Sequence, residues 1–304
     1  MLNPILASSA LRRMRSTRTM IIIGTYVAVL LLLACLCMSS LLLSDAINIH
    51  SISQGIDAYL ALLLAQFALI VLVAPAMTAS SIAGERERQT LELLLVTNTG
   101  SMRIVFGKLM ESFAFLALLI VSGLPVMCLA MVPGGVTLFQ ILSGMLFLLC
   151  CAFAAASVGV LCSSFMKNTV GATIISYIII LFIGVTTLLP LVYGIGSSIT
   201  DVLYDDAAYA AMTQFDAVKM IPQPLLINPG VGLISLIECQ TGSLQTAYAS
   251  MRGRLYCMFM MLKKIGYEIV PFLNMAFMTA AALVLDCIAS MLVRPRRVRV
   301  RRTA

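Results

Sequence analysis

Six separate stretches of mostly apolar residues are each long enough to cross a lipid bilayer as a helix. They are Met20–Leu43, Tyr59–Ser81, Ile104–Met131, Thr137–Leu161, Val170–Ile195 and Pro271–Val293. A helical span needs about 20 such residues. Because backbone groups in the hydrocarbon core must form their hydrogen bonds within the protein, these stretches should be helices. We therefore predict an all-α integral membrane protein with six transmembrane helices.

Composition supports this prediction, because 61% of the 304 residues are hydrophobic and only 11% are charged. A soluble domain usually carries about 25% charged residues. The N-terminus resembles a signal peptide, with basic residues followed by an apolar stretch. That stretch continues to Leu43 and is long enough to span the bilayer, so we interpret it as an uncleaved first span.

The distribution of lysine and arginine predicts the orientation. If the N-terminus is cytoplasmic, 15 of the 20 basic residues fall in cytoplasmic segments, and the other five fall in one long outside loop, residues 196–270. Cytoplasmic loops carry an excess of basic residues. We therefore expect both termini in the cytoplasm of a multi-pass cell-membrane protein. The six arginines of the tail directly follow an apolar run, so anionic lipid headgroups are a simpler partner for them than nucleic acid.

We expect one domain over residues 1–304, with four segments outside the main spans. These are an N-terminal interfacial segment (1–19), a cytoplasmic segment (82–103), the extracytoplasmic loop (196–270) and a basic tail (294–304). A tight Val-Pro-Gly-Gly turn at 132–135 joins spans three and four. Within the long loop, Gly230–Ile237 and Leu255–Leu262 are apolar but too short to cross, so we predict re-entrant or interfacial pieces.

The cytoplasmic segment after span two contains the most informative pattern. Charge begins abruptly after Gly84 with Glu85-Arg86-Glu87-Arg88, and Leu91, Leu94 and Leu95 follow at helical spacing. This pattern predicts a short amphipathic helix that presents one face to a protein partner. The alternative is a solvated loop that only satisfies the positive-inside bias, but its equal share of glutamates argues against that.

Several segments carry a resemblance to a known family. They are Asn3-Pro4-Ile5-Leu6 with Leu11-Arg12-Arg13; Pro75-Ala76; Ala83-Gly84-Glu85-Arg86-Glu87 with Thr90-Leu91-Glu92-Leu93-Leu94; Gly107-Lys108-Leu109; and Asn228-Pro229. Together with six spans and a long loop between spans five and six, they resemble the permease subunits of the ABC type-2 exporters. The resemblance covers essentially the whole chain.

The resemblance implies partners and a coupling surface. In that family two permeases pair, as identical or sister chains, and each couples to a cytosolic ATPase through the helix after span two. ATP and Mg would then be bound by the partner ATPase, and this chain would hold no cofactor. The residues expected at or near the contact are Gly84, Glu85, Arg86, Glu87, Arg88, Thr90, Leu91, Glu92, Leu94 and Leu95.

The motifs argue against catalysis by this chain. No G-x-x-x-x-G-K-[ST] phosphate loop occurs in the sequence, so ATP hydrolysis by that route requires a partner. The only histidine is His50, whereas a metal-dependent membrane protease needs at least two such ligands. Two other classes stay open: a secondary transporter or channel, and a non-transporting membrane factor without an ATPase.

Two acidic residues within predicted spans are candidates for the pathway or its gating, because charges in a membrane are costly and often functional. Glu111 lies three residues after Lys108, so a local ion pair or snorkelling also explains it. Asp286 lies deeper within its span, where we expect either a gating or interhelical contact or a position facing a water-filled cavity. A disulfide between Cys239 and Cys257 in the outside loop is possible, and two free thiols are the alternative.

Small residues recur on one face of span four, as Ala152-x-x-x-Ala156 and Ala155-x-x-x-Gly159. Such faces allow helices to approach closely. We therefore predict a helix interface here, either within the subunit or between subunits.

Overall fold

The computed structural model describes residues 17–42, 50–89, 101–201, 228–241 and 269–293. In the helix that begins at Thr169, it describes the side chains up to Val185. All regular secondary structure in these ranges is helical. The helices are α1 (Thr17–Leu42), α2 (His50–Thr78), α3 (Ser80–Glu87), α4 (Ser101–Cys128), α5 (Leu138–Phe165), α6 (Thr169–Asp201), α7 (Pro229–Thr241) and α8 (Ile269–Val293), with a 3-10 turn at Leu129–Met131.

Five of the described helical runs are long and apolar enough to cross a membrane. They are Thr19–Ser39, Gly55–Glu87, Ser101–Met131, Leu138–Phe165 and Val270–Val293. The remaining predicted span, Val170–Ile195, falls within α6, whose described apolar part, Thr169–Val185, is shorter. The helical membrane fold is thus confirmed with five candidate spans, and the count of six and the orientation stay predictions.

Helix α5 forms the centre of the bundle and packs against α2, α4, α6, α7 and α8. It is apolar on all sides, as expected of a helix surrounded by protein. Ala152 and Ala156 are fully buried, and a Cβ added to Gly159 would lie 1.7 Å from Thr78 Oγ1 of α2. The predicted small-residue face is therefore an interface within the subunit.

The predicted turn between the third and fourth spans is present. Gly134 and Gly135 have φ values of 92° and 83°, a region that glycine enters without steric cost. Helix α5 then begins with a capping box, in which the Thr137 hydroxyl accepts from the Gln140 amide and the Gln140 side chain accepts from the Thr137 amide. This pairing satisfies two amides that the start of a helix leaves without partners.

Helix α7 packs inside the bundle, although it lies in the predicted outside loop. Its side chains Val231, Leu233 and Leu236 are buried. At its start, Asn228 Oδ1 accepts from the Gly230 amide at 2.9 Å, and Asn274 of α8 donates to the Asn228 carbonyl at 3.1 Å. The loop therefore contains a helix that is bonded to α8 at its first turn.

The other end of α7 is held at the first turn of α5. Gln240 donates to Ser143 Oγ at 2.7 Å and accepts from the Tyr59 hydroxyl at 2.8 Å, while Gln140 donates to the Gln240 carbonyl. The first turn of α7 lies deeper along α5, since a Cβ on Gly232 would touch the Phe147 ring. This packing favours the re-entrant alternative for residues 230–237; residues 255–262 lie outside the described ranges.

Candidate functional site: the helical junction after the second span

The second span continues into α3 with only a small interruption. Pro75 lies within α2, and the Ala79 amide donates to the Pro75 carbonyl at 2.9 Å. Ala79 keeps right-handed helical dihedrals, so Gly55–Glu87 forms one nearly continuous helical run. We call residues 79–89 the junction. Gly84, after which the charged residues begin, lies inside α3.

The junction helix ends earlier than predicted. After Glu87 the amides of Arg88 and Gln89 donate back to the carbonyls of Gly84 and Arg86, and Gln89 has a φ of 59°. A residue in this left-handed conformation commonly terminates a helix. The prediction of one helix carrying both the charges and the leucines is therefore wrong at Gln89. The other predicted contact residues, Thr90, Leu91, Glu92, Leu94 and Leu95, lie outside the described ranges.

The first turn of α3 is capped by a residue of another span. The hydroxyl oxygen of Ser163, near the end of α5, accepts from the amides of Ile82 and Ala83 at 2.9 and 2.8 Å. Ser163 is fully buried, as are Ile82 and Ala83. Since the first amides of a helix lack partners in the preceding turn, this hydroxyl supplies an acceptor that α3 itself cannot provide.

Arg86 connects α3 to the last turn of α5. Its guanidinium donates to the Met166 carbonyl at 2.9 Å and to the Ser164 carbonyl at 3.1 Å. The last carbonyls of a helix have no intrahelical donor and carry the negative end of the helix dipole. A cation at this position therefore satisfies hydrogen bonds and is also electrostatically favourable.

Glu87 makes the complementary contact with the start of α6. Its carboxylate accepts from the Thr169 hydroxyl at 2.9 Å and from the Thr169 amide at 3.4 Å. An anion at a helix N-terminus interacts favourably with the positive end of the helix dipole. Arg86 and Glu87 thus bind the two sides of the short α5–α6 connection, although Glu87 itself is exposed to solvent.

Glu85 connects α3 to α4 through Lys108. The ammonium lies 2.7 Å from Glu85 Oε1 and 3.4 Å from Glu111 Oε2, one turn further along α4. The side chains of Lys108, Glu85 and Glu111 are 25%, 21% and 13% exposed, so all three charges are partly shielded from water. The predicted local ion pair of Glu111 with Lys108 is confirmed, and the pairing with Glu85 adds a contact between two helices.

An open cavity of about 700 Å³ lies beside these contacts. It is bordered by residues of α3, α4 and α6: Ser80, Ser81, Gly84, Glu85, Glu87, Arg88, Lys108, Glu111 and Thr169. The sequence identified Glu85, Arg86 and Glu87 as important but assigned them only to an outside partner. Their internal partners are Lys108 for Glu85, the Ser164 and Met166 carbonyls for Arg86, and Thr169 for Glu87. These partners come from other helices, and no local pattern connects them to the junction.

The other predicted site residues lie away from the junction. Asp286 of α8 is 6% exposed and accepts a hydrogen bond from Ser157 of α5 at 3.2 Å, which gives it an interhelical contact. Cys239 is exposed near the end of α7, whereas Cys257 lies outside the described ranges, so their pairing stays a prediction. No group of three potential metal ligands occurs among the described residues.

The fold and the junction together define a class of protein. It is a multi-pass helical membrane protein in which a short charged helix after the second span is bonded to three other helices. Comparison with known families then identifies the particular one. The chain matches the ABC-2 family transporter proteins over residues 4–285 and belongs to that family. No curated protein matches the chain. Transport across a membrane is therefore the process in which this protein takes part.

Proposed function

We propose that this chain is the permease subunit of an ATP-driven exporter, and that a separate cytosolic ATPase drives it by binding the junction. The observation that carries this proposal is the attachment of α3 to three other helices. Glu85 pairs with α4, Arg86 bonds the end of α5, and Glu87 bonds the start of α6. A force applied at the junction would therefore reach three membrane helices at once.

The exposed end of the junction supplies the surface for that partner. Glu87, Arg88 and Gln89 are exposed, while Glu85 and Arg86 are partly buried in contacts within the subunit. We therefore divide the predicted contact set into two groups. Glu85 and Arg86 attach α3 to the bundle, and Glu87, Arg88 and Gln89 face the ATPase, with Glu87 serving both purposes.

The proposed mechanism follows from this division. ATP binding moves the ATPase against the exposed end of α3. The internal hydrogen bonds transmit the movement to α5 and α6, and the ion pair with α4 changes as α3 shifts. Two permease copies, identical or related, enclose the pathway, and ATP and Mg remain in the ATPase. The apolar character of the spans favours a lipid-like, peptide or hydrophobic drug cargo over a small ion. The excess of basic residues in the segments on this side supports a cytoplasmic position for the junction.

The first test is extraction from native membranes in mild detergent, followed by mass spectrometry of the proteins that co-purify. We expect a stoichiometric ATPase with a phosphate-binding loop. If no ATPase co-purifies under conditions that preserve known membrane complexes, the proposal is wrong. The chain is then better interpreted as a secondary transporter or channel, or as a non-transporting membrane factor without an ATPase.

A charge reversal then tests the contact surface. Arg88→Glu should weaken co-purification of the ATPase, because Arg88 is exposed at the end of α3. The matched control is Asp57→Lys, which reverses an exposed charge near the start of α2. Substitutions of Glu85 or Glu87 are poorer tests, because they also break bonds within the subunit. Equal ATPase recovery with both variants would contradict the placement of the contact at Arg88.

A further inference from the structure

Helix α3 is attached differently on its two sides. On one side, hydrogen bonds of Ile82, Ala83, Arg86 and Glu87 hold it on α5 and α6. On the other side, the ion pair of Glu85 with Lys108 holds it on α4. A small shift of α3 relative to α4 that keeps the first set of bonds intact changes the distance between Glu85 and Lys108. The open cavity of about 700 Å³ is lined by Glu85, Lys108 and Glu111, so the ion pair lies at an open side of α3.

Lys108 has two carboxylate partners of different kinds. Glu85 belongs to α3, so its distance from Lys108 changes whenever α3 moves relative to α4. Glu111 belongs to α4 itself, three residues further on, so it stays beside Lys108 when α3 moves. The nearer carboxylate in the structure is that of Glu85, at 2.7 Å from the ammonium against 3.4 Å for Glu111.

This arrangement lowers a penalty that a single pair would impose, because the lysine keeps a second carboxylate within reach. Separating one partner from a partly buried ion pair leaves an uncompensated charge, which strongly opposes the movement. With Glu111 in place, the ammonium shifts to the carboxylate of its own helix as Glu85 leaves. Its charge remains paired throughout.

We infer that Lys108 is a positioning residue for coupling, which pairs mainly with Glu85 in the resting permease and transfers to Glu111 when the ATPase moves α3 away from α4. The inference rests on the proposed function, because it needs an ATPase to move α3. It adds two details to that function: α3 separates from α4, and Glu111 is the second partner of Lys108 although it does not contact the ATPase.

The reactivity of the Lys108 amine provides a direct test, because an ammonium held against a carboxylate reacts slowly with an acylating reagent. The sample is the complex of the full chain with its co-purified ATPase, in nanodiscs, with and without adenylyl imidodiphosphate and Mg. Acetylation of Lys108 by an N-hydroxysuccinimide ester is quantified by mass spectrometry relative to Lys167, an exposed lysine between α5 and α6.

The transfer predicts a distinctive pattern among isosteric variants. In the wild type, Lys108 reacts slowly with and without nucleotide, because a carboxylate is always near. In Glu111→Gln it reacts slowly without nucleotide and roughly two- to fivefold faster with it, the range expected for losing a partly exposed pair. In Glu85→Gln the reactivity does not depend on nucleotide, because Glu111 is the partner in both states. The double variant Glu85→Gln/Glu111→Gln reacts fast in both states.

Opposite results separate the inference from the function on which it rests. The transfer is overturned if the reactivity of Lys108 in Glu111→Gln is the same with and without nucleotide. It is also overturned if the reactivity of Lys108 in Glu85→Gln changes with nucleotide. If either occurs while the wild-type complex hydrolyses ATP, the proposed function survives and only the transfer is wrong. If no ATPase binds the chain, both are overturned.

Discussion

Removal of the Ser163 hydroxyl tests whether α5 determines the start of the junction helix. In Ser163→Ala, the amides of Ile82 and Ala83 lose an acceptor at 2.9 and 2.8 Å in a fully buried position. A buried donor without its partner costs about 1–3 kcal/mol, whereas hydrogen bonds between membrane helices average about 0.6 kcal/mol. For two donors we expect α3 to be destabilised relative to the bundle by about 1–4 kcal/mol.

Hydrogen–deuterium exchange of a peptide covering residues 80–89 measures this local stability. Since 1.4 kcal/mol corresponds to a tenfold change in an equilibrium, exchange in Ser163→Ala should accelerate by at least about fivefold. The control is Ser164→Ala, which removes a neighbouring buried hydroxyl that donates only within α5, to the Leu161 carbonyl. It leaves the Ser164 carbonyl that Arg86 binds in place.

Equal exchange of residues 80–89 in the two variants would refute the reasoning. It would mean that the Ser163 hydroxyl adds nothing beyond what the bonds of Arg86, Glu87 and Glu85 already provide. An increase confined to Ser163→Ala would instead show that a side chain 80 residues away determines where this helix begins.

Three further substitutions test the packing of the bundle. Gly159→Ala should lower the melting temperature in detergent, because its Cβ would lie 1.7 Å from Thr78 Oγ1 and overpacking lowers the free energy of unfolding by about 1–3 kcal/mol. The control Gly171→Ala should leave the melting temperature unchanged, because nothing lies within 4 Å of its Cβ. Asp286→Asn should leave the melting temperature nearly unchanged, because the amide oxygen can still accept from the serine hydroxyl, and a large drop would indicate an essential charge. Gln240→Ala should speed hydrogen exchange of the α7 amides roughly fivefold or more, because it removes hydrogen bonds worth about 1 kcal/mol each. Unchanged exchange would show that apolar packing alone holds α7 in place.

The contrast between Glu111 and Glu85 shows how far sequence reasoning reaches at the site. The pairing of Lys108 with Glu111 was predictable, because residues three apart on a helix lie on one face. The pairing with Glu85 was not, because it depends on how α3 lies against α4. Similarly, the equal number of glutamates in the junction indicated specific contacts but gave no sign that some lie within the subunit.

The sequence by itself determined that this chain lies in a membrane, where five candidate spans run, and to which family it belongs. Span length and apolar character are local properties of continuous segments, and each segment satisfies its own backbone hydrogen bonds. The tight turn at 132–135 and the small-residue face of α5 were likewise readable, because glycine and alanine act through their own backbone geometry and size.

Only the tertiary structure decided where the junction helix begins and ends, how α7 packs in the bundle, and which groups the junction charges meet. The first turn of α3 is bonded to a hydroxyl of α5, and α7 is bonded to α8 at one end and to α2 and α5 at the other. These contacts join residues that are 46 to 181 positions apart. No periodicity along the chain encodes them, because they exist only once the helices have packed.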